Sequence, residues 1–144
     1  MAVFPSLDWF QKVRDVYNSD GSLHKGGGGA CHTTAAFKVN GQSYLIVFEG
    51  LKCADIRTPT DSELSEADFV IEMPFELWKA MVANVQSHGK ADLHYTLNSL
   101  DLQQDEGIAY SPADDQYRQD LFYRYNQNFQ DFFDASARVE TTFA

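Results

Sequence analysis

The chain has 144 residues, with 11 Lys+Arg against 21 Asp+Glu, a formal net charge of −10, 44% hydrophobic and 14% aromatic residues, and two cysteines. A length of this order is that of one domain, spanning 1–144, and it closes a core without a metal or disulfide staple. The charge repels a polyanionic nucleic-acid backbone and an anionic bilayer at long range, so no nucleic-acid partner is expected.

In chain order, residues 1–10 lack the basic start and unbroken apolar run of a signal peptide, and nowhere is there a run of about 18 uncharged apolar residues. The expectation is a cytoplasmic protein without stable membrane insertion, in which Cys31 and Cys53 are reduced, small core residues. Trp9, Phe10, Val13, Val16 and Tyr17 fall on one face at about 100° per residue, which predicts a helix over 7–17 with Ser6 as its cap. Asn18 to Asp20 stop it, and the glycines at 26–29 make 18–29 a Gly-rich loop.

From residue 30 the period becomes two. Thr33, Ala35, Phe37 and Val39 alternate with His32, Thr34, Ala36 and Lys38 up to Asn40-Gly41, the signal of a two-residue hairpin. The returning strand, 42–49, is apolar on both faces around Tyr44 to Phe48 and so reads as central. A third strand at 51–57, a polar connection with a short helical turn up to Glu66, and a fourth strand at 69–73 follow. Pro74 fits a first helical turn, and Phe75, Trp78, Met81, Val82 and Val85 form one face of a helix over 74–86 that His88-Gly89 ends. Alternation returns in 92–102, with Leu93, Tyr95 and Leu97 opposite His94, Thr96 and Asn98, which predicts a fifth strand. The last helix, 114–134, carries Tyr117, Leu121, Phe122, Tyr125, Phe129, Phe132 and Phe133 within about 160°. Residues 135–144 read as a loose tail. The element order is α+β, with helices covering one face of a five-stranded, mainly antiparallel sheet.

The stretch 67–81, in which Ala67-Asp68, Ile71 and Met73 lead from a strand into a helix, resembles the middle of the sterol carrier protein-2-like domain. His88-Gly89-Lys90-Ala91-Asp92-Leu93 is similar to the Gly-Lys approach to that family's last strand, and Asn98-Ser99 matches its Gly-rich portion only in part. The hairpin and the final helix agree in order, so the resemblance spans residues 4–133. It implies an apolar tunnel between sheet and helices, with the C-terminal helix in its wall, that takes fatty acids, acyl chains, sterols or similar molecules. The residues offered to such a ligand are Phe37, Phe48, Phe69, Ile71, Trp78, Met81, Val82, Leu93, Tyr95, Leu97, Tyr117, Arg118, Leu121, Phe122, Tyr125, Phe129 and Phe132. The plainer reading of the same aromatic stripe is core filling. Arg118 and Asn128 fall within the stripe by angle, and a cation there must snorkel, find a carboxylate or meet an anionic headgroup.

No catalytic set is assigned. The weak candidates are His94 with Asp92, which a strand would place on one face so that the carboxylate orients the imidazole, and His32 on β-structure upstream. The plainer reading makes both histidines solvated. The four histidines and two cysteines lack the close ligand spacings of a metal site, so neither metal nor other cofactor is expected. His24-Lys25 before the glycines has no nucleophile turn or following Lys-Ser/Thr to make it an oxyanion or phosphate loop, and reads as a flexible segment at a tunnel mouth.

The leading expectation is binding and transfer of an apolar or amphipathic small molecule in an internal cavity. The alternative is a small isomerase, cyclase or hydrolase using the same cavity, with His94, Asp92, His32 or a tyrosine as acid or base. A third reading packs the aromatic helix on a partner chain, a second copy or an enzyme.

Overall fold

The computed structural model describes residues 2–19 and 31–144. Strand β1 is Ala2–Phe4 and helix α1 is Leu7–Ser19. Ser6 caps α1 as expected, its hydroxyl accepting from the Trp9 N–H at 3.1 Å. Of the loop expected over 18–29, residues 18 and 19 finish α1 and the rest lies outside the described residues.

Strands β2 (Cys31–Val39), β3 (Gln42–Gly50) and β4 (Lys52–Arg57) form an antiparallel meander. The β2–β3 turn needs left-handed backbone at both central residues, and Asn40 (φ 52°) and Gly41 (φ 82°) supply it. Helix α2, Asp61–Glu66, starts at a capping box in which Thr60 Oγ1 accepts from Glu63 N and the Glu63 carboxylate accepts from Thr60 N. Strand β5 (Phe69–Glu72) then pairs with β2 in parallel, Phe37 opposite Ile71. Helix α3, Phe75–His88, begins after Pro74 and ends at Gly89, whose φ of 83° is the left-handed cap conformation glycine adopts without a Cβ penalty.

The expected fifth strand over 92–102 is not there. Residues 93–96 turn, and Leu97–Gln103 is helix α4, capped by the Thr96 hydroxyl accepting from Ser99 N. Leu97, Leu100 and Asp101 bury at helical spacing, a pattern that shares Leu97 with the alternation and outweighs it once Thr96 caps. The fifth strand is instead β6, Ala109–Tyr110, antiparallel to β5, and the sheet order is β4-β3-β2-β5-β6. Helix α5 is Gln116–Asp134, with Asp115 as N-cap.

The terminal segment is also corrected. A 3-10 turn, Ala135–Arg138, leads to strand β7, Thr141–Phe143, which pairs in parallel with β1. Ala135 and Ser136 are fully buried. Apolar contact with α1 and α3, not local propensity, orders these residues.

One sheet face carries Cys31, Ala35, Phe37 and Val39 of β2, Tyr44, Ile46 and Phe48 of β3, Cys53 and Ile56 of β4, Phe69 and Ile71 of β5, and Ala109 of β6. The inner faces of α1, α3 and α5 pack on it in a single apolar core. This is an α+β architecture with the long helices on one side, as expected. On the other face Ala36, Leu45 and Val70 are buried in a row, and the short α2 stands beside them.

Candidate functional site

α5 meets the sheet through rings. Phe129 lies 4.9 Å from Phe48, 5.3 Å from Phe69 and 5.9 Å from Phe37, centroid to centroid, so one side chain touches three strands. Phe122 adds Phe69, Phe132 adds Phe37 and Phe48, and Phe133 adds Phe37 at 5.0 Å. Phe133 also reaches Trp78 of α3 at 5.6 Å, and Phe132 reaches Tyr17 of α1 at 6.0 Å. Spacing of three and four residues along α5 puts Phe122, Tyr125, Phe129, Phe132 and Phe133 on the inward side.

Of the residues expected to line a tunnel, Phe37, Phe48, Phe69, Ile71, Trp78, Met81, Val82, Leu97, Phe122, Tyr125, Phe129 and Phe132 all enter this one core. The rings of Phe37, Phe48, Phe69, Trp78, Phe122, Phe129 and Phe132 pack against one another. Leu93 and Tyr117 do not join them: they are 84% and 72% exposed, Leu93 because its strand is a turn and Tyr117 because it sits in the first turn of α5, before the helix reaches the core. Tyr95 and Leu121 are half-buried. Arg118 finds carboxylates, with Nε 3.9 Å from Asp68 and 3.8 Å from Asp115. From Phe122 to Phe133 the aromatic face of α5 is buried inside the chain, while Tyr117 stays on the surface. The sequence reading assigned no site role to Trp9, Phe10 and Tyr17 of α1 or to Tyr44, although the helical period already placed the first three on one face.

Polar groups hold the ends of this core. Asp68, part of the motif that carries the family resemblance, accepts from the Thr33 hydroxyl at 2.7 Å and from Thr34 N at 3.1 Å, pinning the start of β5 to β2. Asn18 clamps Cys53 of β4, donating to its carbonyl and accepting from its N–H, both at 2.9 Å. Burial pushes the thiols of Cys31 and Cys53 up to about 12, and both cysteines are free. The Tyr17 hydroxyl is raised by burial and by the nearby Asp131 carboxylate. Neutral thiols and a neutral phenol suit an apolar interior and give no nucleophile at ordinary pH.

The Asp92–His94 pair loses its strand geometry. Asp92 Oδ1 accepts from the His94 backbone N–H at 2.9 Å, and Oδ2 accepts from Asn84 Nδ2 at 2.9 Å, so the carboxylate caps a turn. His94, Asp92 and His32 are exposed, and His32 stands on β2, on the sheet face turned away from the core.

Beside this turn is a polar cleft of about 560 Å³ between residues 90–98 and the C-terminal half of α5. Two α5 side chains hold its outer wall: Gln130 Oε1 accepts from Leu97 N at 2.7 Å, and Asp134 Oδ1 accepts from Ala91 N at 3.0 Å. Gln130 Nε2 donates to Asp134 Oδ1 at 2.9 Å, joining the two into one clasp. Burial raises the Asp134 carboxyl above the ordinary aspartate range against the lowering effect of these donors and Lys90.

Among the described residues no group of three or more His, Cys, Asp or Glu side chains could hold a metal ion, and no helix is long and apolar enough to cross a membrane. No protein-family model matches the chain, and no curated protein matches its sequence. A solved structure does match: a conserved hypothetical protein from Thermus thermophilus, for which a sterol carrier protein is the suggested identity. The two are 15% identical, the match covers 94% of this chain and 88% of that one, and the TM-score is 0.56. At this identity the likeness defines a shared fold alone.

Proposed function

We propose that this protein binds an apolar or amphipathic small molecule, of the size of a long acyl chain or sterol, between α5 and the sheet, and carries it in the cytosol. The observation that supports this most is the make-up of that interface: seven ring pairs join Phe122, Phe129, Phe132 and Phe133 to Phe37, Phe48 and Phe69. Five of the seven pairs meet edge to face, and a chain inserted between α5 and the sheet would lie against broad apolar rings. The likeness to a suggested sterol carrier protein points the same way.

Magnitudes set the class of ligand. Because the rings are in contact, a ligand displaces them, losing about 0.5–1.5 kcal/mol per separated pair beyond area burial. A buried methylene returns about 0.8 kcal/mol. A chain of roughly ten or more carbons therefore offsets the separation, and a short acid does not. The wall would be Phe37, Phe48, Phe69, Trp78, Phe122 and Phe129.

The test uses the native protein. Mass spectrometry under non-denaturing conditions is expected to find a near-stoichiometric apolar or amphipathic molecule. After delipidation, cis-parinaric acid is expected to bind saturably and quench the emission of Trp78, whose ring is part of the interface. A mass equal to the chain alone together with no saturable quenching would overturn the reading.

A further inference from the structure

We infer that the polar cleft between residues 90–98 and the C-terminal half of α5 is a binding site for a neutral, polyhydroxylated small molecule. This site is separate from the α5–sheet interface, and the inference does not depend on the apolar-ligand reading. On α5 the cleft residues Gln130, Asp134 and Gln127 lie roughly 60–120° round the helix from Phe133, with Asn126 at the edge between the two sides, at about 100° per residue.

The cleft has the size of a small-molecule site, about 560 Å³. Its wall is preorganised, since the Gln130–Asp134 clasp fixes the backbone at both Ala91 and Leu97. Several lining groups keep bonding capacity for a guest. Asp134 Oδ2, the Lys90 ammonium and the side-chain amides of Asn98 and Asn126 make no hydrogen bond among the described residues. Gln127 uses Nε2 on Asp131 at 2.9 Å, which leaves its carbonyl oxygen to accept.

Charge and bonding type select the guest. Two carboxylates, Asp92 and Asp134, disfavour an anion, and the Lys90 ammonium among them disfavours a cation to a lesser degree. Among the described residues no aromatic ring lines the cleft and Leu93 is its one large apolar side chain, so an apolar guest finds little surface to bury. A hydroxyl both donates and accepts, and a molecule carrying several of them satisfies this mixture of ammonium, amide and carboxyl groups without a net charge.

The experiment is a titration of the whole protein followed by two-dimensional amide NMR, with glucose, myo-inositol and glycerol as hydroxylated probes and choline and acetate as charged controls. At least one hydroxylated probe is expected to shift the Ala91 and Leu97 backbone amides and the Asn126 side-chain amide saturably, with both charged controls weaker. Asn126→Leu, at a half-buried position without hydrogen bonds to lose, is expected to weaken that probe by about fivefold, the worth of one hydrogen bond, while leaving the rest of the spectrum in place. No saturable shift at these amides with any of the three probes, or a charged control binding as tightly, would overturn the assignment.

Discussion

Gly107 has a φ of 75°, and a Cβ added there would stand 2.5 Å from Asp101 Oδ1. That oxygen cannot easily move aside: Asp101 is 4% exposed, accepting from Ile108 N at 2.7 Å and from the Tyr123 hydroxyl at 3.0 Å. Gly107→Ala is therefore expected to cost about 1–3 kcal/mol for the left-handed backbone, with a further loss from the displaced acceptor. Gly89→Ala is the control, since its φ is 83° and nothing lies within 4 Å of the added atom. Urea unfolding should show the larger loss at Gly107, and equal losses would mean that the carboxylate yields freely. Neither Gly107 nor Asp101 was legible beforehand. In the sequence Asp101 looks like its neighbours Asp105 and Glu106, and only the fold makes it the buried one. The cysteines were legible as unpaired core residues, since composition and a small apolar side chain suffice for that expectation.

At the scale of elements, the clearest signals were those complete within a few residues. Asn40-Gly41, the Thr60–Glu63 capping box and the Pro74 and Gly89 ends of α3 each satisfy local backbone groups, so they read the same way alone and in the fold. The segment 92–102 failed because alternation and helical period both fit its leucines, and the missing cue was the Thr96 cap. The C-terminal segment failed because its partner is the other end of the chain. Ala2 N donates to Glu140 O at 2.9 Å, Ala144 N to Phe4 O at 3.0 Å, and Trp9 Nε1 to Thr141 Oγ1 at 3.0 Å. Removing residues 141–144 is expected to lower stability by about 2–4 kcal/mol through loss of the Ala144 and Thr141 bonds, the β1–β7 pairing and the Phe4–Phe143 contact. It should also shift Trp9 emission to the red. An unchanged denaturation midpoint would return the segment to a loose tail.

For the whole molecule, the burial that closes the core also sets its response to pH. Asp134 has a folded-state carboxyl raised above the unfolded value, chiefly by desolvation. The folded state then holds this proton more tightly, so the group lowers stability as pH rises from the ordinary aspartate range through the raised value, and contributes nothing below both. Asp134→Asn keeps the oxygen that accepts from Ala91 and Gln130. The variant is expected to gain stability relative to the native chain as pH rises through that window, and to match it most closely in stronger acid. Chemical denaturation at a series of pH values measures this, and a parallel pair of curves would show that Asp134 titrates alike in both states.

By itself the sequence determined the α+β class, the β2–β3 hairpin, the three long helices and the inward stripe of α5, because period and turn chemistry are properties of neighbouring residues. It also offered most of the residues that gather around Phe129. Only the tertiary structure decided that β6 completes the sheet, that β7 pairs with β1, and that the rings of α5 meet those of the sheet. The polar cleft was likewise invisible, since Lys90, Asn98, Asn126 and Asp134 are ordinary surface residues until α5 is laid against residues 90–98. Strand partners, helix docking and clefts depend on contacts between distant parts of the chain, where burial and loop closure, not local preference, choose among the alternatives.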